Sequence, residues 1–273
     1  MTSDLPLTIP AVLERAVVLY PEVEALVDRA PTDGGADVRL TYPELFEAVD
    51  EAARALVASG VEAGDRVAIW GPNMAEWAIT ALAVHRCGGV VVPLNTRFKG
   101  SEAAYILRAS GARRLFTVTD FLDTDYVALL DAADDRPDLD EVVVLRGPTR
   151  AGATTAWSDF LARAAEVEPT VTAARAAAIG PDDLSDILFT SGTTGAPKGA
   201  MLRHGASVAA YDAWSTVVGL REGDRWCLCA SRFLQAADEG CPPMVSLAST
   251  HRRALEVVPL HVLEAYARNP SDG

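Results

Sequence analysis

The sequence predicts an α/β fold of largely parallel sheets joined by crossover helices. Three observations carry this prediction. Short apolar runs of strand length alternate with stretches whose apolar residues recur at helical spacing. Gly, Pro or Asn closes many of those runs. Strands separated by helices need crossover connections, and these bring the strands into one sheet in parallel.

The elements follow in chain order. Leu40-Thr41-Tyr42-Pro43-Glu44-Leu45 leads into a helix ending near Gly60, with Leu45, Val49, Ala52, Ala53, Leu56 and Val57 on one face. Arg66 to Trp70 is a strand stopped by Gly71-Pro72-Asn73. Met74 to Cys87 reads as a mostly buried helix stopped by Gly88-Gly89. Val90 to Leu94 is a second strand, with Pro93 expected at a strand end or edge. Ser101 is expected to cap a helix through Ser110, with Gly111 as its stop. Arg114 to Val118 and Val142 to Leu145 are further strands. Helices are expected over Tyr126 to Ala133 and Trp157 to Ala165, and an alanine-rich surface helix over Val171 to Ala178. Pro31 to Asp37 and Gly147 to Thr155 read as linkers. Trp70, Trp77, Trp157 and Trp214 sit in apolar patterns and are expected in the core.

Composition narrows the function. The 273 residues carry 24 basic and 38 acidic side chains, a net charge of −14, which argues against general nucleic-acid binding. A chain this long buries roughly 75% of its unfolded surface and needs no disulfide or metal staple. The N-terminus lacks the basic and apolar regions of a signal peptide, and no run is long and apolar enough to span a membrane, so a cytoplasmic location is expected. Cys87, Cys227, Cys229 and Cys241 fit no zinc spacing and read as reduced thiols.

One stretch carries chemistry. Asp186 to Thr190 is a short strand running into Ser191-Gly192-Thr193-Thr194-Gly195-Ala196-Pro197-Lys198-Gly199, and Met201 to Val218 then reads as a helix. Glycines let the backbone approach an anion, and consecutive N–H groups form an anion-binding nest. The hydroxyls of Thr190, Ser191, Thr193 and Thr194 add donors, and Lys198 supplies a mobile point charge. The lysine follows Pro197 rather than Gly, so this is not a Walker A loop, and no G-x-G-x-x-G fingerprint opens a helix here.

Ser191 lacks a Gly-x-Ser-x-Gly elbow, and His204 lies thirteen residues further on, which weighs against a nucleophile reading. Glu44, Asp65 and Asp186 read as background carboxylates rather than an acid/base set. Arg97 and Lys99 read as a solvated pair, and His251 and His261 as surface histidines.

The string Ser-Gly-Thr-Thr-Gly-x-Pro-Lys-Gly closely resembles the phosphate-binding signature of the AMP-forming adenylate-forming enzymes, which include acyl-CoA synthetases. Leu40-Thr41-Tyr42-x-Glu44-Leu45 and Gly88 to Asn95 resemble two earlier elements of that family, in the right order. Asp65 to Asn73, Val92 to Arg97 and Leu184 to Thr190 look most like actinobacterial acyl-CoA ligases of the steroid-propanoate type.

The resemblance implies the incomplete N-terminal domain of an adenylate-forming enzyme over residues 1–225. It implies a reaction in which a small-molecule carboxylic acid attacks ATP to give an acyl-adenylate, which is then passed to coenzyme A with the help of Mg2+. It places Thr190, Ser191, Gly192, Thr193, Thr194, Gly195 and Lys198 on the ATP phosphates. It gives no catalytic residue within this chain, because the family's Tyr-Gly-x-Thr-Glu element and C-terminal lysine domain have no counterpart in the sequence.

Past Gly223-Asp224-Arg225 the family pattern stops. Residues 226–273 hold 4 basic and 5 acidic residues, against 20 and 33 in residues 1–225. A divergent tail is therefore expected there, either frameshifted or private to a short variant. Three functions stay open: a fragment of an acyl-CoA ligase that is inactive alone, a residual ATP- or pyrophosphate-binding module, and a nonfunctional truncated product with exposed sheet edges.

Overall fold

A computed structural model describes residues 6–28, 37–190, 197–218, 254 and 258–267. The chain divides into two units, Met1–Val27 with Arg39–Val217, and Asp28–Val38 with Val218–Gly273. In the second, the described residues of 254–267 include one short helix, Leu260–Ala265, with Leu263 buried.

The first unit opens with α1 (Ile9–Leu19), β1 (Glu24–Asp28) and β2 (Val38–Thr41), the two strands forming a two-stranded sheet. It continues with α2 (Tyr42–Ala58), β3 (Arg66–Trp70), α3 (Ala75–Arg86), β4 (Val90–Leu94), α4 (Gly100–Ser110) and β5 (Arg114–Val118). Then come α5 (Tyr126–Asp131), β6 (Glu141–Arg146), β7 (Thr155–Ala156), α6 (Trp157–Ala162), α7 (Pro169–Ala178), β8 (Leu184–Thr190), β9 (Lys198–Arg203) and α8 (His204–Val218).

Strands β3 to β9 form one sheet in the order β7-β6-β5-β3-β4-β8-β9. From β7 to β8 all neighbours pair in parallel, as the alternation predicts. Residues Val67 to Trp70 of β3 are all buried, which places the core at the sheet centre. The chain steps from β3 to β4 on one side and then returns across β3 to β5. Right-handed crossovers therefore put α3 on one face and α4 and α5 on the other. Helices α1, α2 and α7 contact α3, and α4 contacts α5.

Local chemistry fixes the ends of the elements. Thr41 caps α2, and the Glu44 carboxylate accepts from its backbone N–H at 2.8 Å. Gly111 closes α4 in the left-handed conformation, φ 70°, as its stop signal predicts. Helix α4 begins one residue before the predicted Ser101 cap. The Glu102 carboxylate accepts from Lys99 N–H at 2.8 Å and starts the helix at Gly100.

The main correction concerns residues 198–203. They form β9, antiparallel to β8, where the sequence predicts loop through Gly199 and a helix from Met201. The helix begins only at His204, whose N–H donates to Asp183 O at 3.0 Å. Met201 and Leu202 look helical by hydropathy, but the turn at 191–197 sends them back along β8. Trp214 is 39% exposed rather than buried, whereas Trp70 is fully buried. The stretch after Trp157 breaks into α6 and a short 3-10 turn over Arg163–Glu166.

Candidate functional site

The chemistry-bearing segment is the turn of a β-hairpin. Strand β8 runs to Thr190, and β9 returns with Lys198 directly opposite it. Thr190 and Lys198 therefore stand side by side at the two ends of the segment 191–197. Ser191, Gly192, Thr193, Thr194 and Gly195, all assigned to phosphate binding from sequence, lie outside the described residues. The structure brings together the two ends of the predicted set and shows Lys198 exposed.

The hairpin needs Gly199. A Cβ there would lie 2.9 Å from Ile187 Cγ2 and 3.2 Å from Phe189 Cζ, because these side chains cross the glycine from the facing strand. The Phe189 ring meets the Tyr105 ring of α4 edge to face at 6.5 Å between centroids. The Tyr105 hydroxyl donates to Pro197 O at 3.1 Å. Helix α4 thus holds the turn at its exit. Sequence reasoning missed Tyr105, because nothing in the local pattern of α4 links it to a segment 92 residues away.

The other end of the hairpin holds a buried titratable cluster. On β8, Asp186 Oδ1 lies 3.3 Å from Nε2 of His85 on α3. A carboxylate only accepts, so His85 carries its proton on Nε2, and its buried Nδ1 has no partner. His204 is buried beside His85, with ring centroids 5.5 Å apart. Its Nδ1 accepts from Ile9 N–H at 3.4 Å, so that nitrogen is unprotonated. Burial, followed by the neighbouring His85, pushes His204 down to about 4. Burial raises Asp186, but the hydrogen bond and charge of His85, with help from Ser185 and His204, hold its carboxyl below the usual range. Burial pushes the Cys87 thiol up to about 11, which leaves it protonated and unreactive.

The remaining candidates separate. Glu44 serves the α2 cap, and Asp65 Oδ2 accepts from Glu62 N–H at 3.0 Å. Together with Asp186, the three carboxylates do three structural jobs in three places. His204 stands at the base of the hairpin, whereas Ser191 belongs to the turn beyond its far end, which argues against a Ser–His nucleophile. Arg97 and Lys99 are exposed, as expected. His261 is exposed, and His251, Cys227, Cys229 and Cys241 lie outside the described residues. Among the described residues, no three His, Cys, Asp or Glu side chains converge as a metal site.

A pocket of about 390 Å3 lies at the base of the hairpin, lined by Leu184, Asp183, His204, Cys87 and Arg175. It is separated from the turn by the length of β8. In an open α/β sheet, ligands favour the crevice where the strand order reverses, here between β3 and β5. That crevice is bridged: Arg146 of β6 donates to both Glu76 carboxylate oxygens in the first turn of α3, at 3.0 and 2.7 Å.

The sequence matches the family model of AMP-binding enzymes over residues 13–245. A 3-[(3aS,4S,7aS)-7a-methyl-1,5-dioxo-octahydro-1H-inden-4-yl]propanoyl:CoA ligase of Mycobacterium tuberculosis is 42% identical, over 98% of this chain and 51% of that protein. The Rhodococcus jostii ligase of the same description is 38% identical, over 83% of this chain and 43% of that protein. Among solved structures, the N-terminal domain of FACL13 from Mycobacterium tuberculosis superposes with a TM-score of 0.65 at 27% identity, over 81% of this chain and 50% of that one. The chain spans about half the length of the curated relatives it matches. Among the described residues, no helix is long and apolar enough to cross a membrane.

Proposed function

The chain belongs to the AMP-binding enzyme family, and from that membership we propose that it is the phosphate-binding part of an AMP-forming acyl-CoA ligase. The observation that carries this reading is the β8–β9 hairpin, whose opposed Thr190 and Lys198 frame a Gly- and hydroxyl-rich turn held by Tyr105. In this reading Gly192 and Gly195 let the backbone N–H groups close on the β- and γ-phosphates of ATP. Thr190, Ser191, Thr193 and Thr194 donate hydroxyl hydrogen bonds, and Lys198 follows the charge that develops on departing pyrophosphate. Bound Mg2+ would add charge neutralisation on the phosphates, carried by ATP itself.

The acid and coenzyme A are the other substrates of the whole enzyme. Similarity to ligases whose names specify a fused-ring propanoyl group favours a carboxylic acid of that class. We place the phosphate-binding domain within residues 1–225 and read 226–273 as a separate tail.

The 273 residues as they stand bind phosphate without completing the adenylation. The sequence holds no Tyr-Gly-x-Thr-Glu element, and a catalytic constellation loses most of its rate when essential members are missing. Carboxylate-dependent exchange of labelled pyrophosphate into ATP tests this. The expected result is background exchange with every acid tried, fused-ring propanoates included. Clear exchange with any of them would refute it.

A further inference from the structure

We propose that Asp186 and His85 are positioning residues for the phosphate-binding turn: their hydrogen bond ties β8 to α3 and so fixes where Thr190 and Lys198 present it. The inference rests on the phosphate-binding reading above.

The hairpin is weakly held by its own ladder to the rest of the sheet. Strand β8 meets β4 through one registered pair, Val91↔Asp186, and its outer neighbour β9 lies at the edge of the sheet. Most of β9 is exposed. Strand β8 lies close along β4, but so sparse a ladder leaves its register to side chains, and a slip of one residue would exchange its two faces. Two side-chain ties remove that freedom, one from each face. Phe189 meets Tyr105 of α4 at the turn end, and Asp186, of opposite parity on the strand, meets His85 of α3 near the base.

His85 is 6% exposed and the side chain of Asp186 is 19% exposed. A polar pair so shielded adds little stability over an apolar one, and its best-attested use is to specify register. The pair is also selective. A one-residue slip would bring Ser185 or Ile187 to His85, and neither is a carboxylate. His204 cannot stand in for Asp186, because its Nδ1 is already engaged by Ile9 N–H.

The test combines pyrophosphate affinity of the full 273-residue chain with amide hydrogen exchange of segment 184–203. His85→Ala and Asp186→Ala are expected to weaken affinity about tenfold, the worth of one hydrogen bond to a charged group. Both should speed exchange in 184–203 while leaving 66–70 and 114–118 unchanged. His85→Gln keeps an N–H at similar reach and should restore affinity to within about twofold of the parent. Val91→Ala, a cavity variant beside the pair, controls for lost stability and should bind as the parent does.

Parent-like affinity and exchange in His85→Ala, with binding still lost in Lys198→Ala, would overturn the positioning role alone. Equal weakening by Val91→Ala at matched stability would also overturn it. Parent protein that gives no heat with pyrophosphate would overturn the phosphate-binding reading and this inference together.

Discussion

At the residue scale, the most perturbed histidine among the described residues is structural. His204 is buried and neutral, and one ring nitrogen accepts from the backbone of α1. Its folded value of about 4 lies below the ordinary 6.5, so the unfolded chain binds the proton more readily between those limits. Stability is therefore complete above pH 6.5 and falls as pH drops toward 4, by an amount on the order of 3 kcal/mol. Asp186, held below its usual range, is ionised throughout most of that window and loses its own contribution only at lower pH. Denaturant unfolding at a series of pH values should show this slope in the parent protein and a flatter one in His204→Gln. Equal slopes would remove His204 as the cause.

None of this was visible in the sequence. His85, Asp186 and His204 are spread over 120 positions and meet only through the crossover of α3 and the return of β9. The phosphate signature, by contrast, was legible at once, because its chemistry depends on residue types at fixed local spacing.

At the element scale, local signals placed most strands and helices, and tertiary context overruled them where they were ambiguous. Val67 to Trp70 and Val90 to Val92 read as buried strands because fully covered parallel strands are apolar throughout. Residues 201–203 read as the start of a helix because so few residues cannot reveal that they pair backwards on β8. Gly100 shows the same limit. The sequence marked Ser101 as the cap of α4, but the position that decides the packing is the glycine before it.

A Cβ on Gly100 would overlap the Leu129 carbonyl in α5, so α4 approaches α5 only with glycine there. Gly100→Ala should cost roughly 2–3 kcal/mol through overpacking, despite alanine's higher helix propensity. Chemical denaturation checks this, and a neutral or stabilising effect would show that the α4–α5 contact yields easily. Tyr105 lies on the same helix, so the substitution also tests whether α4 holds the turn.

At the scale of the whole molecule, the switch point of the doubly wound sheet is bridged by Arg146 and Glu76. The proposed phosphate-binding segment lies instead on an antiparallel hairpin at the sheet edge. Antiparallel pairing sets Thr190 directly opposite Lys198, eight positions further on. The length and composition of the chain admitted a self-sufficient domain, whereas the comparisons make it about half of its relatives' length.

The central claim is that the Ser191–Pro197 turn, with Lys198, is a polyphosphate cradle. Calorimetric titration of ATP into the parent chain and into Lys198→Ala tests it most directly. The account predicts measurable saturable heat for the parent and affinity at least about tenfold weaker for the variant. Equal heats and equal affinity in the two proteins would contradict it.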